Sequence, residues 1–392
     1  MNMPLAKIIL LLCVITLQSC ATQNSTVQLQ QPITSASFFQ KPTDLPELEQ
    51  LFYLTEKQQQ HFLSYFHSPA QASYPKEERL YNYLQNKLVY FNYEGANSSA
   101  QVALEQLKGN CMSLALVTSA LARLANIEVG YKVIYQEPMI DYKDNIFISS
   151  NHIRTYLYKE VDEAKKGELV LQRAALVIDY FPDNSDVAGK TINASRFYAM
   201  LYNNLAADAL LQGESDRAFF LSQKALQHDP TFTPSVNMIA LMYYRKNAFA
   251  EATQWFDYGM KLEDNQVTLL SNYRGLAEEM DNQQLLENIN QRLLNNSDDN
   301  PYSWLALALD AERNNQFSHA KLYYEKLLEK APYLHNANLA LIRLYVQEQN
   351  FSSAQSVVEQ AIQYAYEPTR REFYSTKLAA LKQHRANLQK TD

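Results

Sequence analysis

Between Gly109 and Pro182 the chain holds one cysteine, Cys111, and one histidine, His152, with Asp179 at the end of an apolar stretch. Cys111 follows a Gly109-Asn110 turn and opens a helical pattern over Met112 to Asn126. A thiol at a helix start meets unpaired N–H groups and the positive end of the macrodipole, and both favour the thiolate. The same N–H groups, or the Asn110 side chain, can receive an oxyanion. A cysteine nucleophile also needs a base, and usually a third group that orients the base. His152 leads a β-rich stretch, Ile153 to Tyr158, and Asp179 ends the next one, Leu169 to Asp179. Each residue alone has a plainer reading: a small buried hydrophobe, a structural imidazole, a turn cap. Their order and placement together point to acyl transfer with Cys111 as nucleophile, His152 as base and Asp179 as orienter. The other histidines are scattered without ligand-pair spacing, so neither a metal nor another cofactor is expected.

The elements that must position these groups are legible as periodicity. Leu45 to Phe66 has helical spacing, a second helix spans Lys76 to Phe91, and Glu94 to Asn97 is a loop. A short helix over Ala100 to Leu107 is expected to end with Gly109 as its cap. Val129 to Gln136 adds a third β-rich stretch, and Pro182 to Asp186 is a loop. From Ser195 onward no strand signal remains.

That second half repeats. Pro230 and Pro332 each close an Ala-rich helical run and lie three 34-residue periods apart. The ruler gives five registers. The first has Leu205, Ala206, Ala209, Ala218 and Ala225; the second Ala240, Tyr243, Ala252, Phe256 and Gly259. The fourth has Trp304, Leu307, Ala308, Ala311, Ala320 and Tyr324, and the fifth Leu341, Tyr345, Ala354, Val358 and Ala361. The third, Val267 to Asp298, keeps the length but few of the small residues, so irregularity is expected there. Small side chains let paired helices approach, and aromatics fill the wedges between them. This is the pattern of tetratricopeptide (TPR) hairpins, with Thr369 to Leu388 as a closing helix. Asn203, Asn204, Asn237 and Arg245 stand on first helices, as groove-lining residues or as solvated surface.

The N-terminus has a single early lysine, Lys7, and a ten-residue apolar run, Ile8 to Leu17, too short for the ~20 residues a bilayer span needs. Leu17-Gln18-Ser19-Cys20 then resembles a bacterial lipobox. This implies a signal peptide over residues 1–19, lipid on Cys20, and a lipid-anchored tether over 20–44. Ala21 after the cysteine implies the outer membrane, facing the periplasm. Cys111 is then the one thiol left. A net charge of −7 argues against nucleic acid as a partner.

The stretches GNCMSLALVTSALARLANIEVGYKVI (Gly109 to Ile134), NHIRTYLY (Asn151 to Tyr158) and LVIDYFPD (Leu176 to Asp183) resemble the transglutaminase-like superfamily, which has a papain-like core. That family's cysteine, histidine and aspartate fall on Cys111, His152 and Asp179. Met112 and Ile153 depart from the aromatic residues found next to the cysteine and the histidine in tissue-type transglutaminases. The fold implied is an α+β papain/transglutaminase-like domain over 45–194, followed by an all-α TPR superhelix over 195–392. The function implied is a tethered envelope enzyme, hydrolase or transamidase, acting on peptide or protein amides, with the array holding substrate or partner. The alternative is a non-catalytic outer-membrane adaptor in which the array recruits a protein and the cysteine domain is degenerate.

Overall fold

One long helical stretch was expected at Leu45 to Phe66; two helices are found, α1 (Leu48–Phe52) and α2 (Glu56–Phe66). Thr55 makes the break. Its hydroxyl accepts from Gln58 N and its own N–H donates to the Gln58 side chain, a capping box that starts a new helix. Helices α3 (Lys76–Leu88) and α4 (Ala100–Gln106) follow. This computed structural model describes residues 30–391 except 35, 94–96, 136–150, 161–172, 181–185, 263–265, 297 and 299. The expected signal peptide over residues 1–19 and the expected lipid site at Cys20 lie outside the described residues.

Leu107, not Gly109, closes α4, in a left-handed conformation with φ 51°. That conformation is costly for a leucine, and neighbouring backbone holds it. Asn92 N donates to Leu107 O at 2.7 Å, and Gly109 N donates to Asn92 O at 3.1 Å. Gly109 has a different task. At φ 145° it turns the chain into α5 (Cys111–Leu124), and a Cβ there would stand 2.7 Å from Ser113 Cβ. Every residue of α5 from Met112 to Ala122 is buried.

Among the described residues, four strands form an antiparallel sheet in the order β3-β2-β1-β4: β1 (Val129–Tyr135), β2 (Asn151–Tyr158), β3 (Ala175–Ile178) and β4 (Val187–Ile192). No strand was expected at β4, because Val-Ala-Gly-Lys-Thr-Ile gives a weak signal with Gly189 at its centre. Register pairs Ile134 with His152 and Thr155 with Ile178. A hydroxyl seam joins α5 to the sheet. The Thr118 and Tyr180 hydroxyls are 2.6 Å apart, Tyr180 donates to Thr155 at 3.2 Å, and Ser119 lies 2.8 Å from the Tyr131 hydroxyl. Buried polar groups satisfied in this way fix one packing of helix on sheet.

The array follows without a break, since Phe197 of α6 (Ala194–Leu211) stacks on Tyr131 of β1 at 4.0 Å. Residues Gln31–Asp392 form one compact unit. The five hairpins are α6 with α7 (Ser215–His228), α8 (Thr233–Arg245) with α9 (Phe249–Gly259), α10 (Gln266–Glu279) with α11 (Gln283–Asn295), α12 (Pro301–Arg313) with α13 (Phe317–Lys330), and α14 (His335–Gln347) with α15 (Phe351–Tyr364); α16 (Pro368–Thr391) closes the array. Each hairpin turns on one left-handed residue: Gly213, Asn247, Asp281, Asn315 and Gln349, each 34 residues after the last. Ala218, Ala252, Ala320 and Ala354 are buried at equivalent places in the second helices. In the third hairpin that place holds Leu286, and α11 buries only Ile289 and Leu293. The period survives there while the packing thins.

Part of the expected tether is docked. Phe39 stacks on Phe219 at 3.7 Å and meets Tyr243 edge-on. Gln40 N donates to Asp216, and Arg217 donates to Asp44 at 2.7 Å. Two adjacent aromatics, Phe38 and Phe39, give this segment apolar surface to bury, which its polar flanks conceal in a composition count.

Candidate active site

Asn110 starts α5. Its Oδ1 accepts from Ser113 N at 3.0 Å, and its Nδ2 donates to Asn97 Oδ1 at 2.9 Å. Asn97 in turn donates to Asp208 of α6 at 2.7 Å, so the start of α5 is tied to the array. The side chain offered above as an oxyanion donor is thus engaged as a helix cap. The next residue in the chain is Cys111, and its sulfur is approached by the backbone N–H groups of Ile153, Met112 and Cys111 itself. These favour the thiolate, yet burial outweighs them and pushes the thiol up to about 11. The residue as a whole is half-buried, while its thiol lies among the groups that oppose its charge.

The N–H contact with Ile153 sets Cys111 beside β2 at the residue after His152. His152 is 1% exposed, and its Nε2 lies 3.1 Å from Asp179 Oδ1. A carboxylate only accepts, so Nε2 carries the proton and Nδ1 has the lone pair. Burial lowers the imidazole below its ordinary 6.5, more than the bond and charge of Asp179 raise it. At neutral pH the pair is therefore thiol and neutral imidazole. Among the described residues no hydrogen bond joins Cys111 to His152. The structure thus brings the three candidates to one end of the sheet, with the His152–Asp179 contact formed and the Cys111–His152 contact not closed.

Two charged groups escaped the sequence reading. Arg154 donates to Asp179 Oδ2 through Nε, and to Asp186 Oδ2 through Nη2 at 3.0 Å. The available signal was spacing: on a strand, residues two apart share a face, so Arg154 belongs with His152. A cavity of about 470 Å³ has Val133, Tyr135, Lys190, Arg196, Asp229 and Phe232 in its walls, and Cys111, His152 and Asp179 are not among its lining residues. Ile134 pairs with His152, so the wall residues Val133 and Tyr135 on either side of Ile134 belong to the sheet face opposite the base.

Residues 60–160 match the model of the transglutaminase-like superfamily. The matched segment of this transglutaminase-like domain contains Cys111 and His152; Asp179 lies beyond it. No curated protein matches the chain in sequence. Among solved structures, the chain is similar to Pseudomonas aeruginosa PilF at 17% identity, over 50% of this chain and 88% of that one, with a TM-score of 0.29. It is similar to YrrB, described as a TPR protein with an unusual peptide-binding site, at 16% identity over 45% and 92%, with a TM-score of 0.24. It is also similar to PilW, described as a widely conserved type IV pilus biogenesis factor, at 14% identity over 48% and 94%, with a TM-score of 0.27.

Proposed function

We propose that residues 45–194 form a cysteine acyl-transfer domain acting on peptide or protein amides, and that the array over 195–392 holds the substrate or a partner. The observation that carries this reading is the buried His152–Asp179 hydrogen bond, formed one residue from the backbone N–H that contacts the Cys111 sulfur. In the reaction, Cys111 Sγ bonds to the amide carbonyl carbon as its proton passes to His152 Nδ1. The C–N bond then breaks, and His152 returns the proton to the leaving amine. Water or an amine attacks the thioester, and the thiol is restored. Because the resting pair is neutral, the proton moves during attack; no preformed ion pair supplies the thiolate. Backbone N–H groups at the start of α5, rather than the Asn110 side chain, serve the oxyanion.

The Leu17-Gln18-Ser19-Cys20 motif supports lipidation at Cys20 and a place at the outer membrane facing the periplasm. Peptide or protein binding by the array is favoured by its TPR period and by YrrB's peptide-binding site. Asn203 accepts from Ser235, and Asn237 accepts from Asn272. These residues link neighbouring first helices, which leaves the groove's ligand contacts to other side chains.

One observation favours the adaptor reading: a thiol held near 11 with no imidazole bond is what a retired nucleophile would show. Exposing the full-length chain to a dansylated glutaminyl peptide and reading the Cys111 peptide by mass spectrometry separates the two. A thioester adduct that is lost in His152→Ala supports acyl transfer; an unmodified Cys111 in the wild type supports the adaptor.

A further inference from the structure

The side chains around His152 carry an uneven set of charges. Asp179 divides its two oxygens, Oδ1 to His152 and Oδ2 to Arg154. Arg154 divides its fork in the same way, Nε to Asp179 and Nη2 to Asp186. The last ladder pair between β2 and β3 is Thr155 with Ile178, so Asp179 lies one step past the backbone bonds that would fix it. Two side chains of β2, His152 and Arg154, bond it there. Asp186 immediately precedes β4, at the opposite edge of the sheet. Arg154 therefore reaches from the end of one edge strand to the start of the other, and its fork geometry suits two carboxylates at once.

Charge shows why two carboxylates are present. Arg154 alone would neutralise Asp179, and an imidazolium forming on His152 would then sit uncompensated in a buried site. Counted over the described residues, Asp179, Arg154 and Asp186 together carry one net negative charge at rest, which a proton on His152 balances, and Asp186 is one of the charges that raise His152. The side chain of Asp186 is only 5% exposed, so water does not dissipate that charge. Among the described residues, Tyr180, edge-on at 6.5 Å, and Cys111 also face His152, both neutral in the resting site.

We propose that Arg154 and Asp186 are positioning residues of the acyl-transfer site. Arg154 fixes the Asp179 carboxylate against His152, and Asp186 returns the negative charge that Arg154 would otherwise cancel. The proposal rests on the Cys111–His152–Asp179 reading and adds to it the residues that make Asp179 effective.

The test uses the full-length chain carrying Asp186→Asn or Arg154→Gln, with ¹⁵N-labelled histidine and His152→Gln to assign the His152 signal. Two readouts are taken: the His152 titration, and the rate at which the dansylated glutaminyl peptide acylates Cys111. Removing the Asp186 charge should lower the His152 titration point, because a negative neighbour that raises it is gone. Removing Arg154 should raise that point, because a cation that lowers it is gone. Both variants should nonetheless slow acylation, by about 100-fold for Arg154→Gln, the scale of a misplaced catalytic group. A merely structural role would not move the imidazole in opposite directions while slowing the reaction in both cases. Arg154→Lys should return the titration point towards wild type without restoring the rate, since an ammonium is not a two-pronged fork. Unchanged titration in Asp186→Asn, or wild-type acylation in Arg154→Gln, overturns the proposal. If Arg154→Gln does not fold, the isosteric Asp186→Asn decides the matter. If wild-type Cys111 is never acylated, the enzymatic reading falls, while the two titration shifts still decide whether the relay exists.

Discussion

Cys111 should be a slow thiol until a substrate engages it. Burial sets its ionisation at about 11, against ~8.5 for an exposed cysteine. At pH 7.5 a free thiol is roughly 9% thiolate and Cys111 about 0.03%, a deficit of about 300-fold. The more basic thiolate attacks faster; with a Brønsted slope of ~0.4–0.5 the gain over ~2.5 units is about 10- to 18-fold. Iodoacetamide should therefore modify Cys111 about 15- to 30-fold more slowly than free cysteine at pH 7.5. The rate should go on rising towards pH 11, where an exposed thiol has already levelled off. The assay is timed quenching of the full-length chain across pH 6 to 11, with carbamidomethylation of the Cys111 peptide read by mass spectrometry. A rate that levels off below pH 8 would refute the reasoning, because it would mean a thiolate–imidazolium pair that the burial of both groups opposes.

Four shorter predictions follow from other contacts. Asn110→Ala removes the cap of α5 and should cost about 1–2 kcal/mol in urea unfolding, while Asn110→Asp, which still accepts from Ser113 N, should cost less; equal losses would sink the capping role. His152 titrates below its ordinary 6.5 when folded, so the unfolded chain binds the proton first. Stability should be complete above pH ~6.5 and fall as pH drops through that value; His152→Gln should flatten that part of the curve, and an unchanged slope would contradict the burial argument. A Cβ on Gly259 would stand 2.1 Å from Leu269 Cδ1 and 3.2 Å from Val236 Cγ1. Gly259→Ala should therefore cost about 1–3 kcal/mol by overpacking, and a neutral effect would mean that α9 and α10 are not in close contact. Phe39→Ala should release residues 31–47 to limited proteolysis and leave the array's cooperative melt in place; a protected segment would show that Phe39 is not its anchor.

What could be read from the sequence depended on whether the information was local. The helix start at Cys111 was legible, because a Gly-Asn turn before an apolar helix is a local signal. The 34-residue period was legible through its alanines, and the left-handed turn residues from Gly213 to Gln349 mark it more regularly still. The third hairpin kept those turns despite losing its small residues, since turn geometry and helix-to-helix fit are set by different side chains. Asp179 could be named from order and Arg154 from its spacing to His152, but Asp186 could not. Asp186 belongs to the site because β4 closes the far edge of the sheet, and β4 is a strand with little strand propensity of its own. Leu107 misled for a similar reason: a leucine in a left-handed cap exists only because Asn92, far back in the chain, bonds both sides of it. Phe38 and Phe39 were masked by polar neighbours, and their docking depends on Phe219 and Tyr243 in the array.

The central claim is that Cys111, His152 and Asp179 act as one acyl-transfer site. The most direct measurement is the mass of the Cys111 peptide after the full-length chain meets the dansylated glutaminyl peptide, in wild type, His152→Ala and Asp179→Asn. The account predicts a thioester mass in the wild type, none in His152→Ala, and a reduced yield in Asp179→Asn. A Cys111 that stays unmodified in the wild type, or that is modified equally in all three, would contradict it.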